Sequence, residues 1–360
     1  MIQIGILKSS KKTPLGVTPD TLKKWPTDTI SFLIEKKAGQ LAHFSDDQYL
    51  AGGAKVVSRT EVLEQANLLV ISDVLSDQDL EILPTQTFIV GLLNPHNNKD
   101  FTAQLKSRNQ KAFALEMLPR TSIAQSMDVL SAMASLAGYK SVILAANHFS
   151  GYFPMLTTAA GTVPPAKVLI LGAGVAGLQA IATAKRLGAV VEAFDVRKAV
   201  KEEVESLGAK FIMVEGMQSD ADTGGYAVVQ KEEALAAQRE LIHQKVVKAD
   251  IVITTASIPG KAAPRLIEGV TVDAMKPGAV IIDLAAASGG NCELTKNEEV
   301  INHSGVTIIG DSQLAYALTR EASKLFSVNI FNFTSHLIKE GLEAINFEDQ
   351  IVKSTFIGKN

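Results

Sequence analysis

The sequence contains a single cysteine, Cys292, among its 360 residues. One thiol excludes a disulfide framework and a cysteine-type zinc site, so a reducing, cytosolic setting is the default expectation. The sequence also lacks an excess of one charge, since 35 basic and 38 acidic residues give a net charge of −3. Its charge therefore does not indicate binding to nucleic acid or to a membrane surface. No signal peptide precedes the first strand, and apolar runs such as AVIIDLAAA are too short to span a bilayer. These absences leave an ordinary soluble globular protein, whose length suggests two domains.

Short β-rich runs alternate with helical patterns along most of the chain, which is typical of βαβ units. The strands predicted in the first half are 2–8, 31–35, 68–72, 87–92 and 112–116, with helices near 19–25, 60–66 and 101–108. The six parallel strands predicted in the second half are 167–171, 190–194, 211–214, 251–255, 280–284 and 307–309. The predicted fold class is α/β, with two Rossmann-like, doubly wound parallel-sheet domains joined by long helices. We expect a discontinuous first domain, 1–125 plus 320–360, and a second domain, 126–319, with a loop at 150–167.

The stretch LPRTSIAQSMDVLSAMA, residues 118–134, predicts a helix from Ser122 to Gly138 with one apolar stripe facing a core. The members of that stripe are Ile123, Met127, Leu130, Ala134 and Ala137. The other face carries Gln125, Asp128, Ser131 and Ser135, with Asp128 as its only charge. From the residues alone, this is a polar helix face capped by Thr121 or Ser122.

The most specific local signal is KVLILGAGVAGLQAIATAKRLGAVVEAFD, in which Gly172, Gly174 and Gly177 match GxGxxG between a strand and a helix. Gly172 permits the tight turn, Gly174 lets a pyrophosphate approach the helix N-terminus, and Gly177 lets the helix pack on the strand. The acid that closes the next strand, Asp195, predicts NAD, because it can accept hydrogen bonds from both adenine-ribose hydroxyls. NADP would place a phosphate there, repelled by roughly 1 to 4 kcal/mol per pair of unit charges. Arg197 can receive such a phosphate, but we interpret it as an adenine-packing or surface residue.

Together with RTSIAQSMDVLSAMASLAGYKSV, TGGYA and ITTASIPGKAAPRLI, this segment resembles the NAD(H)-binding domain I, or alpha subunit, of the proton-translocating NAD(P) transhydrogenases. These belong with the alanine dehydrogenases to one family, and the resemblance covers nearly the whole chain. It implies that Arg120, Gln125, Asp128 and Ser131 line the nicotinamide end of an NAD site. It also implies that Tyr226 lies on a mobile loop that closes over the nucleotide, although a Tyr beside two glycines is equally well a loop anchor. The cofactor-binding residues implied are Gly172, Gly174, Val175, Ala176, Gly177, Asp195, Val196, Arg197, Gly225, Thr255 and Ala256.

The resemblance implies NAD(H) as cofactor and hydride transfer to NADP on a partner domain, coupled by a membrane subunit to proton translocation. It further implies a homodimer that is cytoplasmic and peripheral to the inner membrane through its partners, without membrane insertion of this chain. Pro259 and Gly260 form a predicted turn at a sheet edge. This turn is interpreted as a cofactor contact, but a plain turn without a ligand explains it nearly as well. No metal site is expected, because the histidines lack metal-ligand spacing.

Two alternatives remain open: an amino-acid dehydrogenase like alanine dehydrogenase, and a non-catalytic NAD-sensing module. An amino-acid dehydrogenase needs an acid/base group and a cation for the substrate carboxylate, whereas transhydrogenation needs proximity, orientation and exclusion of water. Alanine dehydrogenases resemble this chain but carry an Arg where Pro14 falls and a His where Leu93 falls. His96, three residues later, is the candidate that would revive the dehydrogenase.

Overall fold

The computed structural model describes residues 1–9, 13–213, 232–258 and 260–358, with only the backbone of 232–234. It divides into two units: unit 1 comprises Met1–Met133 and Tyr316–Asn360, and unit 2 comprises Ala134–Ala315. The described strands are β1 (Ile2–Ile6), β2 (Ile30–Glu35), β3 (Lys55–Val57), β4 (Leu68–Ile71), β5 (Phe88–Gly91), β6 (Ala112–Ala114), β7 (Leu156–Thr158), β8 (Gly161–Val163), β9 (Lys167–Leu171), β10 (Val190–Phe194), β11 (Lys210–Ile212), β12 (Ile251–Thr254), β13 (Val280–Asp283), β14 (Glu299–His303) and β15 (Val306–Gly310).

The described α-helices are α1 (Pro19–Leu22), α2 (Asp46–Ala51), α3 (Arg59–Gln65), α4 (Asp77–Ile82), α5 (Lys99–Ser107), α6 (Val129–His148), α7 (Val175–Arg186), α8 (Lys201–Ser206), α9 (Glu232–Val246), α10 (Gly269–Asp273), α11 (Thr319–Leu337) and α12 (Gln350–Thr355). Short 3₁₀ turns are Gln40–Ala42, Leu115–Met117, Ala124–Met127, Lys198–Val200, Ala286–Ser288, Leu314–Leu318 and Leu342–Ala344.

Unit 1 contains a parallel sheet in the order β3-β2-β1-β4-β5-β6. β4 and β5 are buried at every residue, because a parallel sheet covered by helices on both faces needs continuous apolar strands. The serines ahead of α2, α3 and α4 each form a capping box with the third helical residue, which fixes where these helices begin. The end of the chain joins this unit, since the Ile357 amide donates to the Ala112 carbonyl.

Unit 2 contains a sheet in the order β11-β10-β9-β12-β13-β15-β14. Its first six strands are parallel, and β14 is an antiparallel edge strand paired with β15. Helices α6 and α7 approach closely because Gly138 has no side chain: a Cβ there would lie 2.1 Å from the Ala176 carbonyl oxygen. The predicted α/β class with parallel sheets is confirmed in both units.

The predicted helix from Ser122 is wrong over its first turn. Residues 124–127 form a 3₁₀ turn, and Asp128 leaves the helical conformation with ψ of 95° before α6 begins. The predicted stripe is therefore only partly right. Met127 is buried and Ala137 packs against the core, but Ile123 is 69% exposed and Leu130 is 50% exposed. The buried apolar residues of α6 are Val129, Met133, Val142 and Ala145.

The sequence analysis also missed β3, the edge strand β14 and the exposed hairpin of β7 and β8, which lies in the predicted loop.

Helix α6 is long and apolar enough, by length and composition, to cross a membrane, with a mean hydropathy of 1.5. The apolar-run criterion overlooked it because serines and a lysine interrupt its sequence. Core helices pass the same test, so this property alone assigns no location.

Candidate functional site

In unit 2, the glycine loop joins β9 to α7 at the carboxyl edge of the sheet. Gly172 has φ of +104°, which favours glycine, and a Cβ on Gly177 would lie 1.9 Å from the Gly172 carbonyl oxygen. Gly174 is the N-cap of α7 and offers no side chain to the first amides, and apart from its chain neighbours no atom lies within 4 Å of the position that a Cβ would take. The first turn of α7, with Val175 exposed and Ala176 half-buried, therefore presents uncapped N–H groups suited to an anion.

This loop lies where the order of the sheet reverses, with β10 on one side of β9 and β12 on the other. Open α/β sheets bind ligands at such a switch point. Thr255, directly after β12, donates from Oγ1 to the Gly172 carbonyl at 3.0 Å, and so fixes the loop to the neighbouring strand. The predicted residues Gly172, Gly174, Gly177 and Thr255 are thus brought together.

Asp195 follows β10 at the same edge and is 8% exposed. Its Oδ2 accepts from the Ala173 amide at 2.7 Å and from Arg197 Nη2 at 2.9 Å. Its Oδ1 accepts from the Arg197 amide at 2.8 Å and from Arg197 Nε at 3.0 Å. Burial raises the pKa of Asp195, but the hydrogen bonds from Arg197 and from the two amides outweigh burial, so that its pKa is lowered and the carboxylate is ionised. Arg197 is therefore an ion-pair partner rather than a plain surface residue, and Val196 between them is half-buried.

Two residues that are not among the predicted site residues also hold this edge, Asn291 and Asp283. Asn291 accepts from the Ala256 amide at 3.0 Å and donates to the carbonyls of Ala256 at 2.9 Å and Pro264 at 2.8 Å. Asp283, fully buried at the end of β13, accepts the amides of Ala285, Asn291 and Cys292 and the hydroxyl of Thr295. The signal was present in the sequence: GGN directly before Cys292 places two left-handed glycines ahead of a buried amide.

Cys292 itself is fully buried. Burial raises the pKa of its thiol, which therefore stays neutral and packs in the core.

In unit 1, Asp128 caps α6: its Oδ1 accepts the Ser131 amide at 2.9 Å, and its Oδ2 accepts the Ser131 hydroxyl at 2.6 Å. The cap is therefore Asp128 rather than Thr121 or Ser122. Gln125 is exposed in the preceding 3₁₀ turn, and no side-chain hydrogen bond joins it to the described residues. Arg120 is exposed ahead of this turn. The backbone under Gln125 is held by α11, because Asn329 and Asn332 both donate to the Ser126 carbonyl at 2.9 Å.

The positions at which the resemblance implies an Arg and a His in alanine dehydrogenases also lie in unit 1. Pro14 and Leu93 are buried, and His96 is exposed in the loop that follows β5. The Leu93 and Asn94 amides donate to Glu116 at 3.3 and 2.9 Å. Burial raises the pKa of Glu116, whereas these amides oppose the shift. At the position where the resemblance implies a His in alanine dehydrogenases, this chain therefore has a buried apolar residue, Leu93.

A second crevice, of about 250 Å³, lies at the carboxyl ends of β1 and β4, where the order of the unit 1 sheet reverses. Arg59, one of the two cations that line the crevice, is committed to Asp79, with Nε and Nη2 at 2.7 and 2.8 Å from the two carboxylate oxygens, and to Glu35 at 2.9 Å. The Arg59 hydrogen bond lowers the pKa of Asp79 to about 2, against its burial. Lys8 lines the crevice and donates its amide to Glu35 at 2.7 Å. The guanidinium of Arg59 is thus neutralised by the chain's own carboxylates.

The predicted site residues fall into two groups. Arg120, Gln125, Asp128 and Ser131 belong to unit 1, and the glycine loop, Asp195, Val196, Arg197, Thr255 and Ala256 belong to unit 2. Gly225, Tyr226 and Pro259, and the last residue of the strand predicted at 211–214, lie outside the described residues. Within the described residues, no three His, Cys, Asp or Glu side chains are grouped so as to hold a metal ion.

Comparisons with known proteins agree on one family. Residues 8–137 match the model "Alanine dehydrogenase/PNT, N-terminal domain", and residues 141–360 match "Alanine dehydrogenase/PNT, C-terminal domain". The chain is 42% identical to an NAD(P) transhydrogenase subunit alpha protein of Rhodospirillum rubrum, over 96% of this chain and 93% of that protein. The crystal structure of transhydrogenase from Sinorhizobium meliloti superposes with a TM-score of 0.88 at 38% identity, covering 98% of this chain and 97% of that one. Alanine dehydrogenase 1 of Staphylococcus aureus is more distant, at 26% identity over 94% of this chain and 88% of its own length.

Proposed function

Because the chain belongs to the alanine dehydrogenase/PNT family, we propose that it is the NAD(H)-binding alpha subunit of an NAD(P) transhydrogenase. In this role it passes a hydride between NADH and an NADP held by a partner domain. The observation that carries the proposal is the carboxyl edge of the unit 2 sheet, where an uncapped helix N-terminus, a glycine with open space around it and an ionised carboxylate lie together.

The residues of this edge fit a dinucleotide. The first amides of α7 would hold the pyrophosphate, since Gly174 leaves them free of a side-chain cap. Asp195 would accept the adenine-ribose hydroxyls, because its ionised oxygens accept hydrogen bonds. Thr255 and Asn291 keep the loop and the neighbouring strand end in place.

When bound, NADH supplies a hydride from C4 of its nicotinamide. Gln125 and Arg120 would orient the carboxamide of that ring, and Gln125 is suited to this because its exposed amide makes no side-chain hydrogen bond to the described residues. Asp128 and Ser131 are fixed against each other and would give the ring a rigid polar neighbour. None of these residues has to exchange a proton, because hydride transfer between two nicotinamides consumes none.

The distinction from an amino-acid dehydrogenase rests on unit 1. A dehydrogenase must deprotonate an amine or carbinolamine, and the buried Leu93 supplies no group for that step. Arg59, one of the two cations that line the second crevice, already pairs with Asp79 and Glu35. These features favour transhydrogenation.

The Rhodospirillum rubrum relative is named a subunit, which supports association with further subunits. We propose that these are a partner that binds NADP and a membrane subunit that couples the reaction to protons. By the same likeness we propose a homodimer that is peripheral to the membrane on the cytoplasmic side.

A stopped-flow assay tests the proposal. The chain, NADH, an oxidised NADP analogue and the NADP-binding domain of a transhydrogenase are mixed, and hydride exchange is followed by absorbance. Rapid exchange that requires both proteins is expected. NADH formation from alanine and NAD by the chain alone would favour an amino-acid dehydrogenase, and NADH binding without either reaction would favour an NAD-sensing module.

A further inference from the structure

The Asp195 carboxylate has no acceptor site left for a ligand in this structure. A carboxylate offers about four lone-pair sites, and four donors occupy them: the Ala173 amide, the Arg197 amide, and Nε and Nη2 of Arg197. Two of these donors belong to the backbone and are fixed by the chain. The other two belong to one side chain, which is 32% exposed and can therefore turn away.

A ribose hydroxyl can bind Asp195 only by donating to an oxygen that the guanidinium of Arg197 now occupies. We propose that Arg197 is a specificity-determining residue, which competes with the adenine ribose of NADH for Asp195 and weakens the exclusion of NADPH. This inference rests on the proposed function, because it assigns the role of a residue at the NAD(H) site.

The competition follows from the geometry of the pair. Both contacts of the guanidinium to Asp195 are close, at 3.0 and 2.9 Å, and the two-pronged arrangement is the strong form of an arginine–carboxylate contact. Among the described residues, Asp195 is the only ion-pair partner of Arg197 within 4 Å, although the charge of Glu203 on α8 also stabilises the guanidinium. Glu203 therefore offers a direction for Arg197 once the ribose displaces it. Without Arg197, the two backbone amides would still hold Asp195 in position.

The effect on NADPH follows from charge. A 2′-phosphate carries nearly two negative charges and would meet a carboxylate that Arg197 neutralises. An arginine beside the ribose can also receive that phosphate directly. Removing Arg197 therefore exposes the full charge of Asp195 to the phosphate, while it frees the same oxygens for the ribose of NADH.

The test is equilibrium binding of NADH and of NADPH to the full chain by isothermal titration calorimetry. Arg197→Ala should bind NADH about 3- to 20-fold more tightly, the range expected for release of a partly exposed two-pronged ion pair. It should bind NADPH about tenfold more weakly. Arg197→Lys keeps the charge but loses the two-pronged contact, so it should tighten NADH less and retain NADPH binding. Lys198→Ala is the matched control, because Lys198 is exposed, adjacent and equally charged, with no hydrogen bond or ion pair to Asp195, and both affinities should stay within about twofold.

Unchanged or weaker NADH binding by Arg197→Ala overturns the inference, since it would make Arg197 neutral or a direct partner of the nucleotide. Equal losses of NADPH binding in Arg197→Ala and Lys198→Ala overturn the specificity role in favour of general electrostatics. If circular dichroism shows Arg197→Ala to be unfolded, Arg197→Gln replaces it with the same expectations. Failure of the unaltered chain to bind NADH would instead refute the proposed function, so the two failures are distinguishable.

Discussion

Two glycines of the GxGxxG motif, Gly174 at the N-cap of α7 and Gly177 in its first turn, should respond to alanine in opposite ways. A methyl group on Gly174 would have no atom within 4 Å, and the φ of −80° at this residue is one that alanine adopts freely. Gly177 lies within α7, and its Cβ would stand 1.9 Å from the Gly172 carbonyl oxygen. The chain can therefore accept a methyl at the first position but not at the second.

Magnitudes decide the outcome for Gly177→Ala. Alanine gains about 1 kcal/mol over glycine in a helix interior. Against this, an ordinary Cβ contact begins at 3.4 Å, so the Gly172 carbonyl and α7 must separate by 1.5 Å. Overpacking costs about 1 to 3 kcal/mol, and overlap with backbone belongs at the upper end. The expected net loss is about 2 kcal/mol, or roughly 4 to 8 °C in the Tm of a unit of this size.

For Gly174→Ala, the free energy of unfolding should stay within about 1 kcal/mol of the unaltered chain. The methyl fills the space through which a pyrophosphate would approach the α7 amides. Loss of one hydrogen bond to a charged group should weaken NADH binding about 10- to 150-fold. Scanning calorimetry and NADH titration of both variants measure the contrast. Normal NADH binding by Gly174→Ala, or a raised Tm for Gly177→Ala, would refute the reasoning.

Three further outcomes are expected. Asp283→Ala should lower the free energy of unfolding by about 3 kcal/mol or more in denaturant titration, because four donors lose their acceptor, and a loss below about 1 kcal/mol would contradict the role of this carboxylate. Burial raises the pKa of Glu116 above 4.5, so the contribution of this residue to stability is full below that pH and is lost as the pH rises through the folded pKa. The Tm of Glu116→Gln relative to the unaltered chain should therefore increase from pH 4 to pH 7. A difference in Tm that stays constant over this range would count against the prediction. Gln125→Ala should slow hydride exchange more than it weakens NADH binding and leave Tm unchanged, whereas Asp128→Ala should also lose about 1 kcal/mol of stability with its helix cap; the reverse ranking in stopped-flow and melting experiments would contradict these roles.

Short-range patterns were sufficient for the framework of the protein. The glycine spacing, the buried strand before it and the acid after it all lie within 167–195, and the structure places them at one edge of a sheet. Continuous apolar runs such as β4 and β5 likewise predicted parallel strands, because such strands are buried on both faces. The edge strands β3 and β14 escaped prediction, since an exposed strand lacks that run of apolar residues.

The periodicity of apolar residues predicted one continuous helix across Asp128, where the structure has a helix boundary. Both a local side-chain contact and residues distant in the chain produce that boundary. A helical spacing continues through 122–138 in the sequence, but the Asp128 side chain competes for the Ser131 amide and starts a new helix. Asn329 and Asn332, about two hundred residues away in the chain, hold the preceding turn through the Ser126 carbonyl. The apolar stripe was therefore counted across a helix boundary.

The sequence by itself determined the fold class, the glycine loop and the acid beside it, because each depends on residues that are neighbours along the chain. Only the tertiary structure decided three pairings. The Arg197 guanidinium donates to the Asp195 carboxylate, and the Asn291 side chain accepts from the Ala256 amide. The charge of Arg59 is neutralised by Asp79 and Glu35. These pairings depend on how side chains turn and on which strand ends meet, and residue spacing specifies neither.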